Sequence, residues 1–207
     1  MTRSLLPGIL AMAAIVVVSN ILVQFLFGQW LTWGAFTYPF SFLVTDLVNR
    51  FQGPKAARKV VVAGFLVGVV SSLIGSRIEG EYGPLVSFRV ALGSGAAFLT
   101  AQLLDIAVFN RLRRQAWWRA PFLSTFAGST LDTAVFFTIA FSATLTFLSP
   151  STDVAWAGEM LPLLGRGPVA PLWVSLATAD WLVKMAIDFF ALVPFRLFVW
   201  RFAARIA

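Results

Sequence analysis

Residues 103–137 read LLDIAVFNRLRRQAWWRAPFLSTFAGSTLDTAVFF, which is two apolar segments joined by a short basic turn. Each segment contains nearly the same hexad, LDIAVF at 104–109 and LDTAVF at 131–136. A carboxylate at the centre of a bilayer costs about 2.5–3.5 kcal/mol on insertion scales. Because Asp105 and Asp132 place this cost in both arms of one hairpin, they indicate a functional requirement. Transport of a polar solute is the leading explanation.

The composition is typical of a membrane protein. Of the 207 residues, 59% are hydrophobic and only 12% are charged, and the mean hydropathy is +0.84. The chain has no cysteine and no histidine, which excludes disulfides, thiolate chemistry and the usual ligands of zinc, haem and iron–sulfur clusters. We therefore expect no metal site and no cofactor. Since only carboxylate chemistry is left, we also expect no catalytic residues and no enzyme activity.

Six stretches of the chain are long and apolar enough to be membrane spans. A span needs about 20 mainly apolar residues to cross the hydrocarbon core. The predicted spans are 5–27, 35–51, 58–76, 88–110, 121–148 and 171–197. The first is interpreted as a retained helix, and the second is short and contains Pro39. The sequence thus predicts an all-α, polytopic membrane protein with six transmembrane helices, forming a single domain over 1–207.

The basic residues predict the orientation of these spans. Four of them lie in each of two alternate loops and four near the termini: Arg50, Lys55, Arg58 and Lys59; Arg111, Arg113, Arg114 and Arg119; and Arg3, Arg196, Arg201 and Arg205. No acidic residue accompanies them, whereas the opposite loops contain mostly acidic residues. By the positive-inside rule, both termini are cytoplasmic. The net charge of +7 is therefore a topology signal, and we expect no nucleic-acid partner.

Polar side chains inside the spans are the candidate substrate ligands. They are Asn20, Gln24, Thr45, Asp46, Gln102, Asp105, Asp132 and Lys184. Helix–helix hydrogen bonds could explain several of them, at about 0.6 kcal/mol each. Asp46 has Arg50 one turn away, so it could form a local ion pair or contact substrate. Lys184, with Asp180 and Asp188 one turn away on either side, could complete an ion pair or donate to substrate.

Aromatic residues at the outer end of the second span could form the other half of a site. Trp33, Phe36, Tyr38 and Phe40 occur within eight residues. An interfacial aromatic belt explains most such residues. However, buried carboxylates beside aromatic faces also suit a planar heterocycle, because stacking contributes about 1–3 kcal/mol per base. Phe40 is the candidate stacking residue.

Longer motifs resemble a known family. They are WGAFTYPFSFLVTDLVNR at 33–50, QLLDIAVFNRLR at 102–113 and the segment from Trp117 to Phe141, with Ser19-Asn20 and Gln24 in the first span and Asp180 and Lys184 in the last. Together they are similar to the bacterial queuosine precursor transporters, the VUT or vitamin-uptake-transporter-like family. The resemblance covers nearly the whole chain. Asp188 and the loop 149–170 are outside the family pattern.

The resemblance implies a multi-pass importer in the bacterial inner membrane that supplies a tRNA modification pathway. Its implied substrates are 7-cyano-7-deazaguanine and 7-aminomethyl-7-deazaguanine, and its other partner is the lipid bilayer. A guanine edge presents N1–H and the exocyclic amine as parallel donors, which one carboxylate can accept. The sequence leaves open whether Asp46, Asp105 or Asp132 takes that edge, and whether the chain forms a homo-oligomer.

Two further questions stay open at this point. The chain could instead be the substrate-binding subunit of an energy-coupled vitamin importer, which depends on an ATPase partner. Transport could be facilitated or coupled to protons. A buried aspartate that must be protonated to release substrate would provide the coupling, and Asp132 is the candidate.

Overall fold

The computed structural model describes residues 4–81 and 83–203. In these ranges the chain forms seven α-helices: α1 (Leu6–Leu22), α2 (Gly34–Thr37), α3 (Phe40–Gln52), α4 (Pro54–Gly75), α5 (Phe88–Leu112), α6 (Arg119–Phe141) and α7 (Leu172–Ala203). Short 3-10 segments at Ala143–Leu148, Ala155–Gly158 and Leu163–Gly165 lie between α6 and α7. The architecture is therefore dominated by helices, as the composition predicts.

Three small antiparallel ribbons connect the helices. They pair β1 (Leu26–Phe27) with β2 (Leu31–Thr32), β3 (Glu79–Gly80) with β4 (Gly83–Pro84), and β5 (Met160–Pro162) with β6 (Val169–Pro171). The ribbons follow α1, α4 and α6, each of which starts from the end where the basic loops lie. All three ribbons are thus at the end of the bundle opposite the basic loops.

Helices α4, α5 and α6 are long and apolar enough to cross a membrane, and α1 is a shorter apolar helix of 17 residues. They correspond to the predicted spans 58–76, 88–110 and 121–148. Helix α4 has large apolar side chains on its outer surface: Val62, Leu66, Val69, Val70, Leu73 and Ile74. An exposed apolar face of this size marks a surface that is covered by a membrane or by another protein.

The boundaries of three predicted spans differ from the helices. The span 5–27 ends early, because α1 stops at Leu22 and the chain enters β1. The span 35–51 is divided into α2 and α3 at Tyr38-Pro39, where the proline ring has no N–H to continue the helix. The span 121–148 ends at Phe141, because Ser142 has an extended backbone and its hydroxyl caps the next 3-10 segment.

Helices α5 and α6 pack closely along their whole hairpin. A Cβ atom on Gly93 would lie 3.2 Å from the carbonyl oxygen of Phe136, and one on Gly128 would lie 3.3 Å from the Cβ of Asp105. The Gly128 position would also be 2.7 Å from Cε1 of Phe42, on α3. The absence of side chains at the two glycines therefore brings α5 and α6 together. Gly128 also admits α3 at the level of Asp105.

The basic end of the bundle is held by contacts between loops. Arg50 donates to the carbonyl oxygen of Arg113 over 3.0 Å, and Arg113 donates back to the carbonyl oxygen of Arg50 over 3.4 Å. Gly53, with φ of 85°, makes the tight link from α3 to α4. The ion pair between Asp46 and Arg50 that the sequence allowed is thus not formed, because the guanidinium points to the loop after α5.

The opposite end contains a buried guanidinium. Arg89 is fully buried near the start of α5 and donates to the carbonyl oxygens of Ile139, over 3.0 Å, and Ser142, over 2.6 Å. These carbonyls belong to the last turn of α6, where a cation is favoured by the helix dipole. Arg89 thereby fixes the outer end of α6 against α5.

Candidate functional site

Buried polar side chains gather where α3, α5, α6 and α7 meet, in two groups one above the other. The outer group, called here the lysine cluster, comprises Tyr38, Asp132, Thr133, Asp180 and Lys184. The inner group, called the carboxylate cluster, comprises Asp46, Asp105, Ser124, Thr125, Ser129 and Asp188. The 3.6-residue period places Asp180, Lys184 and Asp188 on one face of α7, so this face contributes to both clusters.

Lys184 is at the centre of the lysine cluster. Its Nζ lies 2.7 Å from Oδ2 of Asp132 and 2.6 Å from Oδ2 of Asp180. It also donates to the hydroxyl of Thr133 over 3.2 Å, and Thr133 in turn donates to Asp180 over 2.9 Å. The spacing of α7 allowed an ion pair with Asp180 or with Asp188, and the structure forms the one with Asp180. The pair with Asp132 joins α7 to α6.

Tyr38 completes the lysine cluster from the break between α2 and α3. Its hydroxyl donates to Oδ1 of Asp132 over 2.8 Å, and Nζ of Lys184 lies 5.3 Å from the centre of its ring. A cation over an aromatic face at this distance is attracted by the ring quadrupole. Both oxygens of Asp132 are consequently bonded, one to Tyr38 and the other to Lys184.

The carboxylate cluster contains more carboxylate oxygens than hydroxyl groups that can donate to them. Thr125 Oγ1 lies 3.3 Å from Asp46 Oδ2 and 3.4 Å from Asp105 Oδ1, and Ser124 donates to Asp46 over 3.3 Å. The Thr125 hydroxyl therefore lies between the carboxyl groups of Asp46 and Asp105. Within the described ranges, Oδ2 of Asp105 has no hydrogen-bond donor although the residue is fully buried. Such an oxygen in a native structure needs an explanation, and a ligand donor is one.

Asp188 repeats this pattern one turn below Lys184. Its Oδ2 accepts a hydrogen bond of 2.9 Å from Ser129, and its Oδ1 has no partner in the part of the chain that the structure describes. The side chain is buried, with the residue 5% exposed. The carboxylate cluster therefore contains two buried oxygens that are free to accept from a ligand.

Thr45 and Gln102 form a connection between α3 and α5. Thr45 donates to Oε1 of Gln102 over 2.6 Å, and the Gln102 amide donates to Ser41 over 2.9 Å. All of these side chains are fully buried. Both the oxygen and the nitrogen of the Gln102 amide are thus hydrogen-bonded to α3. These bonds hold α3 and α5 together next to Asp46 and Asp105.

Three predicted site residues lie apart from the two clusters. Asn20 donates to the carbonyl oxygen of Val16 and lines a cavity of about 400 Å³ between α1, α4 and α5, of which Tyr38 is also a wall. Gln24 is exposed, because α1 ends at Leu22, so this residue does not continue the helix face that carries Asn20. Phe40 is 41% exposed at the first turn of α3.

The structure thus brings together six of the predicted residues: Thr45, Asp46, Gln102, Asp105, Asp132 and Lys184. It adds Ser124, Thr125, Ser129, Thr133, Asp180 and Asp188, which the sequence did not list as substrate ligands. It also adds Tyr38, one of the aromatic residues considered for stacking, which takes part through its hydroxyl. Two features of the sequence could have indicated these residues. One is the set of hydroxyl side chains at helical spacing on α6, and the other is the position of Asp188 four residues after Lys184. Among residues 4–81 and 83–203, no three acidic side chains are arranged to hold a metal ion.

Comparison with known proteins identifies the family of the chain. A family described as "Putative vitamin uptake transporter" matches residues 32–199, which contain both clusters. No solved structure matches the chain.

Curated relatives give the same result. The chain is 38% identical over 174 residues to the "Probable queuosine precursor transporter" of Haemophilus influenzae, covering 79% of this chain and 66% of that protein, just under two thirds of its length. It is 35% identical over 190 residues to the "Queuosine precursor transporter" of Escherichia coli, covering 85% and 77%. A "Probable queuosine precursor transporter" of Bacillus subtilis is 29% identical over 187 residues, covering 81% and 71%. The chain therefore belongs to the vitamin uptake transporter family.

Proposed function

We propose that the chain is a membrane transporter, not an enzyme, and that it imports queuosine precursors of the 7-deazaguanine type across the bacterial inner membrane. The names of the relatives support the substrate class. The observation in this chain that supports it most is the unpaired, fully buried Oδ2 of Asp105, whose other oxygen, Oδ1, faces Asp46 across the hydroxyl of Thr125. A group of buried acceptors is complementary to a base edge made of donors.

Asp105 is the carboxylate that we assign to the guanine edge. That edge presents N1–H and the exocyclic amine side by side, and a carboxylate can accept both in charge-assisted bonds about twice as strong as neutral ones. Asp132 is less suited, because Tyr38 and Lys184 already occupy its oxygens. Asp46 accepts hydrogen bonds from Ser124 and Thr125, so its two oxygens are already engaged. We assign it the role of positioning Thr125 beside Asp105.

The proposed role of Asp132 in proton coupling stays a prediction. Tyr38 and Lys184 each donate to one oxygen of this carboxylate, so its protonation would weaken both contacts. Uptake of the neutral 7-cyano base distinguishes the two modes of transport. An uncoupler that abolishes its accumulation identifies a proton-coupled carrier, whereas unchanged uptake identifies a facilitator.

We propose that the chain is one domain with six membrane spans and both termini in the cytoplasm. Single cysteines introduced as Gln52→Cys and Gln115→Cys should react only with membrane-permeant thiol reagents, because both positions lie in basic loops. Ser151→Cys, in the segment between α6 and α7, should also react with impermeant reagents. The native chain has no cysteine, so the unmodified protein is the control. Labelling of the Gln115→Cys variant from outside would reverse the orientation.

Uptake by the purified chain in liposomes tests the proposed function. We expect saturable uptake of 7-cyano-7-deazaguanine in the absence of ATP and of any other protein, because the buried acceptors are all within this chain. Liposomes without protein are the control. Uptake that requires an added ATP-hydrolysing partner would instead identify the substrate-binding subunit of an energy-coupled importer. Failure to take up any 7-deazaguanine base under either condition would refute the substrate class.

A further inference from the structure

The two clusters contain far more negative than positive groups. Five of the nine acidic residues of the chain lie in them: Asp46, Asp105, Asp132, Asp180 and Asp188. Lys184 is the only basic member, and it contacts Asp132 and Asp180. Asp46, Asp105 and Asp188 form no ion pair with a described residue. Burying unpaired carboxylates is costly, so a positively charged or donor-rich ligand would stabilise this site.

Of these three carboxylates, Asp188 is the one placed to bind a part of the ligand other than the part that Asp105 binds. Asp46 and Asp105 face each other across Thr125, whereas Asp188 comes from α7 and is held by Ser129 on α6 through a single oxygen. Its other oxygen, Oδ1, is buried and has no donor among the described residues. Thr125, which contacts Asp105, and Ser129, which contacts Asp188, are four residues apart on one face of α6. The two carboxyl groups therefore lie against neighbouring turns of the same helix face, where one ligand can contact both.

We infer that Asp188, oriented by Ser129, binds the ammonium group of the 7-aminomethyl substrate and selects it over the neutral 7-cyano base. This inference rests on the proposed function, in which Asp105 takes the guanine edge. The two recognition groups of the 7-aminomethyl base are on opposite sides of its ring system, and the free oxygens are on two different helices, α5 and α7. An ammonium group supplies three donors and one positive charge. It thus donates a hydrogen bond to the free oxygen of Asp188 and also reduces the excess of negative charge.

The nitrile of the 7-cyano base does neither, because it is an acceptor without charge. When it is bound, Asp188 is left buried beside another acceptor. The structure therefore assigns to Asp188 a selectivity between two substrates that share the same guanine edge. Asp105 serves both substrates, and Asp188 serves one.

The test compares the two bases as competitors for uptake in liposomes containing wild type or Asp188→Asn. Loss of one member of a buried charge pair weakens binding by about 30-fold or more. We expect Asp188→Asn to lower the apparent affinity for the 7-aminomethyl base relative to that for the 7-cyano base by roughly 100-fold, because only the 7-aminomethyl base loses a charge pair. Asp188→Glu should restore part of the preference. Asp153→Asn, the same change at an exposed loop position, is the matched control and should leave both affinities unchanged.

Ser129→Ala gives a second measurement that does not depend on the folding of the Asp188 variants. It removes the hydroxyl that orients Asp188 but keeps the charge, and it should weaken the 7-aminomethyl base selectively by about 5- to 10-fold. Equal losses for the two bases in these variants, or no change in their ratio, would overturn the inference while leaving the proposed function intact. Transport of neither base by the wild type would refute the proposed function itself.

Discussion

Replacement of Asp105 by asparagine should remove most of the discrimination between guanine-type and adenine-type bases. A site built to bond a substrate donor rejects an analogue that lacks it by a factor on the order of 10⁴, because the buried groups of the site are left unpaired. Asparagine keeps the shape of the side chain but replaces one acceptor oxygen by an NH2 donor. This donor would face an N–H donor of the substrate, so that no hydrogen bond can form between them. The measurement is competition by 7-deazaguanine and by 7-deazaadenine against labelled 7-cyano-7-deazaguanine.

Asp132→Asn is the matched control for this experiment. It makes the same chemical change in the lysine cluster, where the oxygens are bonded to Tyr38 and Lys184. We expect its yield of folded protein to fall while the preference for guanine-type bases persists. If wild type and both variants show equal discrimination, neither carboxylate of the α5–α6 hairpin reads the base. Asp46 would then be the next candidate.

Lys184→Met should sharply reduce the yield of folded protein as well as transport. The substitution leaves Asp132 and Asp180 buried without their cation, and removal of one member of a buried pair typically costs about 3–5 kcal/mol. The thermal stability of the purified variant in detergent is the direct measurement. Normal folding with loss of transport alone would show that the lysine is a substrate donor, and that its ion pairs contribute little to stability.

Neutralising one of the stranded carboxylates should partly restore the Lys184→Met variant. Asp132→Asn is expected to be the better second change, since its side chain is 6% exposed whereas that of Asp180 is 14% exposed. The asparagine can still accept the hydrogen bond from Tyr38. Combining both neutralisations with Lys184→Met should give the largest recovery. The measurement compares the melting temperatures of Lys184→Met alone, with Asp132→Asn, with Asp180→Asn and with both. The differences give the separate contributions of the two stranded carboxylates.

The sequence predicted best what depends on local spacing. The α5–α6 hairpin is delimited by its basic turn, so both of its helices were located before the structure was known. Four residues of separation on one helix made Asp180 and Asp188 the two local candidates for pairing with Lys184, and Asp180 is the one that pairs. The depth of Asp105 in its span likewise predicted that it would be buried, and it is fully buried.

What the sequence missed depends on contacts between distant segments. Tyr38 looked like a member of an interfacial aromatic belt, but its hydroxyl reaches Asp132, 94 residues further along the chain. Asp188 has Ser129 as a partner on another helix, which spacing along α7 cannot reveal. The error at Gln24 has a local cause. Hydropathy continues past Leu22 although the backbone turns there into β1, so an apolar run was taken for a longer helix.

The close packing at Gly93 and Gly128 also determines which parts of the protein can move. Two helices whose backbones are in contact at these levels will shift as one rigid body, because sliding either past the other would require side-chain space that is absent. We therefore expect alternating access to arise from displacement of α3 and α7 against this fixed pair. Asp46 lies on α3, and Lys184 and Asp188 lie on α7. Transport by this route would break the bonds that join α7 to α6, which are those of Lys184 to Asp132, Thr133 to Asp180 and Ser129 to Asp188.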